Sequence, residues 1–139
     1  VLREVIMTRE ELIEEAFKAM ENSYAPYSNF HVGAAVLTKD GKVFWGANIE
    51  NASFGATNCG ERSAIFAAYS NGYRKDTIEA LAIVSDGDRI AAPCGICRQV
   101  LSELITGDTP IYLSNRKDEM DTCMNELLPY QFTTEDVCR

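Results

Sequence analysis

Apolar residues near the start of the chain recur at the spacing of an amphipathic helix. Five of them share one helical face: Leu12, Ile13, Ala16, Phe17 and Met20. The preceding residues 8–11, TREE, have the form of a capping box, in which Thr and Glu side chains satisfy the first free N–H groups of a helix. The pattern therefore predicts a helix over residues 9–22.

The hydrophobic pattern then changes to that of a β-hairpin. Two apolar segments, residues 32–38 and 42–47, flank Asp40-Gly41, a dipeptide that favours the tight turn between antiparallel strands. We therefore expect two antiparallel strands after the first helix.

The second half of the chain alternates between helical and strand patterns. Helices are predicted over residues 61–69 and 99–105, and strands over the apolar runs 80–85 and 109–113. The succession of strand, helix, strand, helix and strand implies two parallel crossover connections, which place helices against a sheet.

Residues nearer the C-terminus predict an edge strand over 120–124 and a helical turn over 126–129. Together the elements indicate an α/β fold, a three-layer α/β/α sandwich around a mixed, mostly five-stranded sheet. A chain of 139 residues without an internal repeat or linker fits a single catalytic domain over residues 1–139.

Composition narrows the range of partners. The formal net charge is −8 and the 13 Lys and Arg residues form no basic stripe, which argues against binding of nucleic acid. The sequence shows no signal-peptide pattern and no apolar run near the roughly 18 residues that cross a bilayer, so no membrane partner is expected. An odd number of cysteines argues against a disulfide framework, and we expect a protein of the reducing cytoplasm.

Two cysteine motifs carry the candidate chemistry: Cys59-Gly60-Glu61 and the later Pro93-Cys94-Gly95-Ile96-Cys97. They supply three thiolates and one carboxylate. A structural zinc site usually closes with four protein ligands, whereas a catalytic site with three keeps one position open for water. The ligand count therefore favours a catalytic site with one Zn²⁺ ion per chain.

Helical geometry separates the thiol ligands from Glu61. Cys94 and Cys97 are three positions apart and share one face of a helix that starts there, whereas Cys59 and Glu61 diverge on a regular helix. Cys59 is thus expected at a helix cap, with Glu61 free to face the water on the metal. Both helix starts follow strands, so they should meet in the crevice beyond the carboxyl ends of the sheet.

Charge balance adds two further residues to the candidate site. Three thiolates on one dication leave a net negative charge, which weakens zinc as a Lewis acid. Arg62, in the same helical turn as Glu61, can donate a hydrogen bond to a thiolate and restore the acidity of the bound water. Gln99 is expected to donate in the same way from the second helix.

The segments TNCGERSAIF and APCGICRQVLSEL resemble the two zinc motifs of the cytidine deaminases, in particular the small branch with three cysteine ligands. Residues 25–54 and the segment LLPYQFTTED are similar to other parts of that family, so the resemblance covers nearly all of residues 8–137. It implies hydrolytic deamination of cytidine and deoxycytidine to uridine and deoxyuridine in pyrimidine salvage. It also implies a homotetramer with active sites near the subunit interfaces.

The resemblance assigns the chemical roles residue by residue. Zinc is bound by Cys59, Cys94 and Cys97. Glu61 carries protons to N3 of the cytosine ring and then to the leaving amine, while a water activated by zinc attacks C4.

The resemblance also assigns contacts to a nucleoside substrate. Asn48 and Glu50 alternate along an extended segment, so their side chains share a face, and in the family this pair holds the ribose hydroxyls. Glu50 would repel a phosphate, which favours a nucleoside over a nucleotide. The other implied contacts are Phe30 against the pyrimidine ring, the Gly60 N–H on the base carbonyl, and Phe132 in a neighbouring subunit's site.

Three residues depart from the family pattern. Gly60 stands where alanine is usual, and Ile96 where a small residue is usual. Phe54 stands where tyrosine is usual, which removes a hydroxyl on the sugar side and bears on sugar preference.

Other functions are compatible with the same residues. The same chemistry can serve another aminopyrimidine, such as a nucleoside antibiotic of the blasticidin type or a deoxynucleotide. A structural zinc site completed by Cys123 or His31 would leave Glu61 idle, and a redox protein would use only Cys94 and Cys97. His31, the sole histidine, is more typical of a surface or packing position.

Overall fold

The computed structural model describes residues 7–137, and Cys138, to which the sequence assigns no role, lies outside them. Five strands form one mixed sheet: β1 (Val32–Thr38), β2 (Val43–Ala47), β3 (Ile78–Ser85), β4 (Ile111–Ser114) and β5 (Glu119–Thr122). Their order across the sheet is β2-β1-β3-β4-β5. Strands β3 and β4 are parallel neighbours, and the other neighbouring pairs are antiparallel.

Helices cover both faces of this sheet. They are α1 (Arg9–Met20), α2 (Gly60–Ser70), α3 (Gly95–Leu104), α4 (Met124–Leu127) and α5 (Thr134–Val137), with single 3₁₀ turns at Phe54–Ala56 and Lys75–Thr77. Helix α1 packs on one face of the sheet, and α2, α3 and α4 pack on the other. Each face has its own hydrophobic cluster. The predicted three-layer α/β/α sandwich is confirmed. Between residues 7 and 137, no helix combines the length and apolar character needed to cross a bilayer.

Element boundaries differ from the predictions where apolar periodicity is weak. Helix α1 has the predicted capping box at Thr8, although it ends at Met20 rather than at residue 22. Helix α3 begins at Gly95, four residues earlier than predicted, because its first turn is made of glycine and cysteine rather than a periodic apolar face. Met124, predicted as a strand end, is the first residue of α4 and is buried in the core.

The chain makes two crossovers, and one of them passes over a strand. Helix α3 connects the neighbouring strands β3 and β4, whereas α2 connects β2 to β3, with β1 lying between them. Because β1 is antiparallel to both, β2 and β3 run in the same direction. The N-termini of α2 and α3 therefore lie at the same edge of the sheet, as the sequence predicted.

Two glycines, one for each face of the sheet, let a helix pack closely against the strands. A Cβ atom on Gly33 would lie 2.2 Å from the carbonyl oxygen of Ala16 in α1. A Cβ atom on Gly46 would lie 2.3 Å from the backbone nitrogen of Ala64 in α2. Such distances to backbone atoms cannot be relieved by a rotamer change, so these positions require glycine.

Replacing Gly33 by alanine should therefore destabilise the protein. The added methyl must push α1 away from β1, and overpacking of this kind costs about 3 kcal/mol. The free energy of unfolding, measured by urea denaturation, tests this. The matched control is Gly55→Ala, because Gly55 is exposed with no atom within 4 Å of an added Cβ, and should change the free energy by less than about 0.5 kcal/mol. Equal losses in the two variants would contradict the close packing of α1.

Candidate active site

Three cysteine sulfurs meet where the N-termini of α2 and α3 converge. Cys59 is the N-cap residue of α2, Cys94 is the N-cap residue of α3, and Cys97 is the third residue of α3. Their Sγ atoms all lie within 4.8 Å of one another, and those of Cys59 and Cys94 are 3.8 Å apart. Sulfurs bound to a tetrahedral zinc at about 2.3 Å are separated by about 3.8 Å, so this donor set fits Zn²⁺.

Neither residue considered as a fourth ligand belongs to this group. His31 shares a hydrogen bond through Nδ1 with the Ser23 hydroxyl, and Cys123 lies 3.7 Å from a carboxylate oxygen of Glu126. Across residues 7–137 the metal-binding group thus consists of three cysteines. A three-ligand site is what a catalytic zinc requires, because it leaves one coordination position for water.

The Arg62 guanidinium partly neutralises the sulfur cluster. Its Nη2 atom donates a hydrogen bond to the Cys59 Sγ atom at 3.4 Å. Hydrogen bonds from the Cys97 thiol and from Arg62 lower the pKa of Cys59 to about 5, so this sulfur is a thiolate at neutral pH before any metal binds. The contact predicted for Arg62 is present in the structure.

Glu61 is a buried carboxyl group directly beside the sulfurs. Its side chain is 5% exposed, and its Oε1 atom lies 3.3 Å from the Cys97 sulfur. Burial, together with the negative charge of Cys59, raises the pKa of Glu61 above its ordinary value. A carboxyl group with a raised pKa can both accept and return a proton near neutral pH.

A recess of about 300 Å³ opens beside Glu61 and the sulfurs. It is lined by most of the predicted substrate and metal residues: Phe30, Asn48, Glu50, Cys59, Gly60, Glu61 and Cys94. The lining also contains residues that the sequence reasoning missed: Ser28, Val32, Thr57, Asn58, Ala91 and Ala92. Among residues 7–137, no lysine or arginine lines it, so the recess suits a neutral ligand.

Asn48 and Glu50 hold the segment that forms one wall of the recess. The Asn48 side-chain amide donates to the Phe30 carbonyl oxygen at 2.8 Å and accepts from the Val32 N–H at 2.9 Å. The Glu50 carboxylate accepts from the Ser28 hydroxyl and also from the backbone N–H groups of Tyr27 and Ser28.

The hydrogen bond from Ser28 is the main reason why the pKa of Glu50 is lowered. Glu50 is therefore ionised at neutral pH. The polar, proline-containing segment 25–29 signals that its backbone N–H groups need partners outside regular structure, but the sequence does not identify Glu50 as that partner.

Gln99 does not make the contact that the sequence predicted. Its Nε2 atom donates to the Phe132 carbonyl oxygen at 2.9 Å, and the predicted hydrogen bond to a thiolate is wrong. The physical reason is helical spacing, because Gln99 is two positions after Cys97 and points away from the metal ligands. Phe132 itself does not line the recess of its own chain, and its side chain is exposed.

The three departures from the resembled family differ in their structural setting. Gly60 begins α2, and a Cβ atom there would lie 3.2 Å from a methyl of Val32 and 3.3 Å from the Val32 carbonyl oxygen, so a larger residue requires a small shift of Val32. Phe54 is exposed and forms an edge-to-face pair with Tyr27 at 5.9 Å between ring centroids. Ile96 is also exposed, and nothing in the structure explains its size.

The comparisons with known proteins agree on one family. The sequence profile of the cytidine and deoxycytidylate deaminase zinc-binding region matches residues 7–113. A cytidine deaminase of Halalkalibacterium halodurans is 54% identical over 132 residues, covering 94% of this chain and 98% of that protein. The cytidine deaminase of Sporosarcina psychrophila is 47% identical over 132 residues, covering 94% and 96%. The crystal structure of cytidine deaminase from Burkholderia pseudomallei matches with a TM-score of 0.88 at 50% identity, covering 91% of this chain and 100% of that one.

Replacing Arg62 by glutamine should weaken zinc binding. The variant removes both a hydrogen-bond donor and a positive charge beside Cys59, and loss of such a partner typically lowers metal affinity about 10- to 100-fold. Competition with a chromophoric zinc chelator measures the change. Arg116→Gln is the matched control, because Arg116 pairs with Glu14 at the surface and stacks on Phe17 of α1. The same affinity in both variants would contradict a role for Arg62 at the sulfurs.

Proposed function

Because the chain belongs to the cytidine and deoxycytidylate deaminase family, we propose that its three-cysteine site and Glu61 perform the hydrolytic deamination for which the family is named. The protein is a zinc-dependent cytidine deaminase, which converts cytidine to uridine and releases ammonia. The observation that supports the assignment of residues most directly is the buried Glu61 carboxyl beside three sulfurs spaced for zinc. We assign the zinc ligands as Cys59, Cys94 and Cys97.

Zinc held by Cys59, Cys94 and Cys97 would supply a water molecule of lowered pKa for attack on C4 of the cytosine ring. Glu61 receives the proton of that water and passes it to N3 of the ring, which makes C4 more electrophilic. The same carboxyl then carries the remaining proton of that water, now on the oxygen bound to C4, to the amino group, and ammonia leaves as the C4–N bond breaks and the C4 carbonyl forms. The burial of Glu61 suits this double role, since the interior disfavours its charged form and the group must take up and release a proton in each turnover.

The charge balance of the site supports this use of Glu61. With zinc and Arg62 in place, the three thiolates are compensated, so an ionised Glu61 carries the remaining negative charge. Protonation of Glu61 removes that charge inside a buried site, where an uncompensated ion is costly. Uptake of the proton from water is therefore favoured by the same surroundings that hold the metal.

The sugar is proposed to bind at Asn48 and Glu50, and their remaining hydrogen-bonding capacity limits what they can hold. Glu50 Oε1 already accepts two backbone N–H groups, and Oε2 accepts the Ser28 hydroxyl. One lone-pair direction remains on Oε2, and one N–H remains on the Asn48 amide. Together they can accept from and donate to a single hydroxyl. We infer that one sugar hydroxyl is recognised and that deoxycytidine is a substrate as well as cytidine.

The charge of the recess disfavours phosphorylated substrates. Its lining includes the carboxylates of Glu50 and Glu61 and no basic side chain. A phosphate there would be unpaired and would face a like charge, which costs several kcal/mol. We propose free nucleosides as the substrates, with neither a nucleotide nor a nucleic acid as a partner.

We also propose that the pyrimidine base of the substrate is bound, and that the subunits assemble, as in the resembled family. Phe30 would pack against the pyrimidine ring and the Gly60 N–H would bind its carbonyl. The exposed side chain of Phe132 fits a contact with a second subunit, which supports a homotetramer with active sites near the interfaces.

The location and the domain organisation are also proposals. Cysteines that bind zinc must stay reduced, which suits the cytoplasm. The match to the relatives runs along nearly all of this chain, which supports a single catalytic domain over residues 1–139.

The variant Glu61→Gln should bind zinc and lose turnover. Glutamine keeps the shape of the side chain but cannot take up a proton, and general acid–base catalysis of this kind typically contributes about 10²- to 10⁴-fold. Loss of cytidine absorbance and release of ammonia measure the rate, and metal analysis measures the zinc content. Glu103→Gln, at an exposed position of α3, should keep full activity. Unchanged turnover in Glu61→Gln would overturn the role of Glu61 as proton carrier, whereas bound zinc with no turnover in the unmodified protein would support a structural zinc site.

Measuring kcat/KM for several substrates tests the proposed recognition of one sugar hydroxyl and the proposed exclusion of a phosphate. Cytidine and deoxycytidine should differ by less than about tenfold in kcat/KM, because only one hydroxyl can be held. Cytidine monophosphate should be at least about 100-fold poorer, because its phosphate meets Glu50 without a cation. Blasticidin-type nucleosides provide the test of the alternative aminopyrimidine substrate. A strong preference for the monophosphate would overturn the assignment of Glu50 to the sugar.

A further inference from the structure

We propose that Arg98 is a positioning residue that fixes the backbone around the metal ligand Cys94 and ties it to the C-terminal part of the chain. The inference rests on the proposed function, in which Cys94 binds zinc. Arg98 is part-buried, and its guanidinium makes two hydrogen bonds to carbonyl groups from different segments. Its Nε atom donates to the Pro93 oxygen at 2.7 Å, and its Nη1 atom donates to the Leu127 oxygen at 2.8 Å.

The first bond acts on the peptide that leads into Cys94. Pro93 directly precedes this ligand, and the backbone N–H of Arg98 also donates to the Cys94 carbonyl oxygen at 2.9 Å. Arg98 thus binds two successive carbonyl groups, one through its side chain and one through its main chain. The peptide groups immediately before and after Cys94 are therefore oriented by the same residue.

Cys94 has little else to hold it. It is exposed, its side chain makes no capping hydrogen bond to α3, and it follows residues 86–93, which contain no helix or strand. Cys59 and Cys97, by contrast, lie partly or fully within the interior. The ligand with the least packing around it is therefore the one whose backbone Arg98 constrains.

The second bond extends this constraint to the C-terminal part of the chain. Leu127 is the last residue of α4, and Met124 at the start of α4 is completely buried in the core beside α3. Gln99, the next residue after Arg98, donates to the Phe132 carbonyl oxygen at 2.9 Å. Two consecutive residues of the zinc-carrying helix therefore hold residues 127–132, and α4 in turn gives Arg98 a fixed anchor.

Arg74 offers a matched comparison within the same chain. Its guanidinium also donates to two carbonyl groups, those of Tyr69 and Tyr73, at the C-terminal end of α2 away from the sulfurs. Loss of either arginine removes two hydrogen bonds of the same type. Only the loss of Arg98 is expected to change the metal site.

The test compares Arg98→Gln and Arg74→Gln in the full-length zinc protein. Arg98→Gln should release zinc to an excess of chelator about 10- to 100-fold faster than the unmodified protein, the range typical of lost support behind a metal ligand. The visible absorption bands of the cobalt-substituted protein should shift in Arg98→Gln. Arg74→Gln should leave the rate of zinc release within about twofold and the cobalt bands unchanged.

Arg98→Lys gives a second variant that retains the positive charge. An ammonium group is a compact donor without the fork of guanidinium, so it cannot bind both carbonyls in the same geometry. We expect zinc release between that of the unmodified protein and Arg98→Gln. If neither Arg98 variant differs from Arg74→Gln in zinc release or cobalt spectrum, the positioning role is overturned.

A separate measurement distinguishes this inference from the proposed function. The unmodified protein should contain one zinc per chain, and Cys94→Ser should lose it or bind it much more weakly. Failure of that result would overturn the assignment of Cys94 as a ligand. Zinc bound at Cys94, with release unaffected by Arg98, would overturn the role of Arg98 alone.

Discussion

The concentration of negative charge at the N-termini of α2 and α3 is the constraint on which the rest of the site depends. Three sulfurs lie within 4.8 Å of one another, and the carboxyl group of Glu61 is buried against them. Charges placed this closely in a medium of low dielectric repel each other strongly. Zinc, the Arg62 guanidinium and the free N–H groups of two helix starts compensate them, and a proton on Glu61 removes the remaining charge.

The fold brings these compensating groups together through its topology and its small residues. Because β1 is inserted between β2 and β3, the strands that precede α2 and α3 point the same way and deliver both helix starts to one edge. Gly46 lets α2 lie directly on β2, with the Gly60 carbonyl oxygen only 2.3 Å from where a Cβ would be. The position of Cys59 relative to Cys94 is thus determined by backbone packing as well as by the metal.

Local spacing predicted much of this arrangement, because it depends on the geometry of single elements. Cys59 lies at a helix cap as expected, since residues two apart on a helix diverge and Glu61 had to be separated from it. The same rule, applied to Gln99, would have shown that it points away from Cys97. The contacts of Asn48 and Glu50 with residues 27–32 were not predictable from spacing, because they join segments whose distance is set only by the folded chain.

Two arginines illustrate how the same side chain serves the site in different ways. Arg62 places its positive charge against the Cys59 sulfur, so its effect on the site is mainly electrostatic. Arg98 uses its charge on neutral carbonyl oxygens, so what it contributes is geometry, through the fixed fork of its N–H groups. The two helix-cap cysteines are therefore supported in different ways, Cys59 by a nearby positive charge and the exposed Cys94 by a fixed backbone.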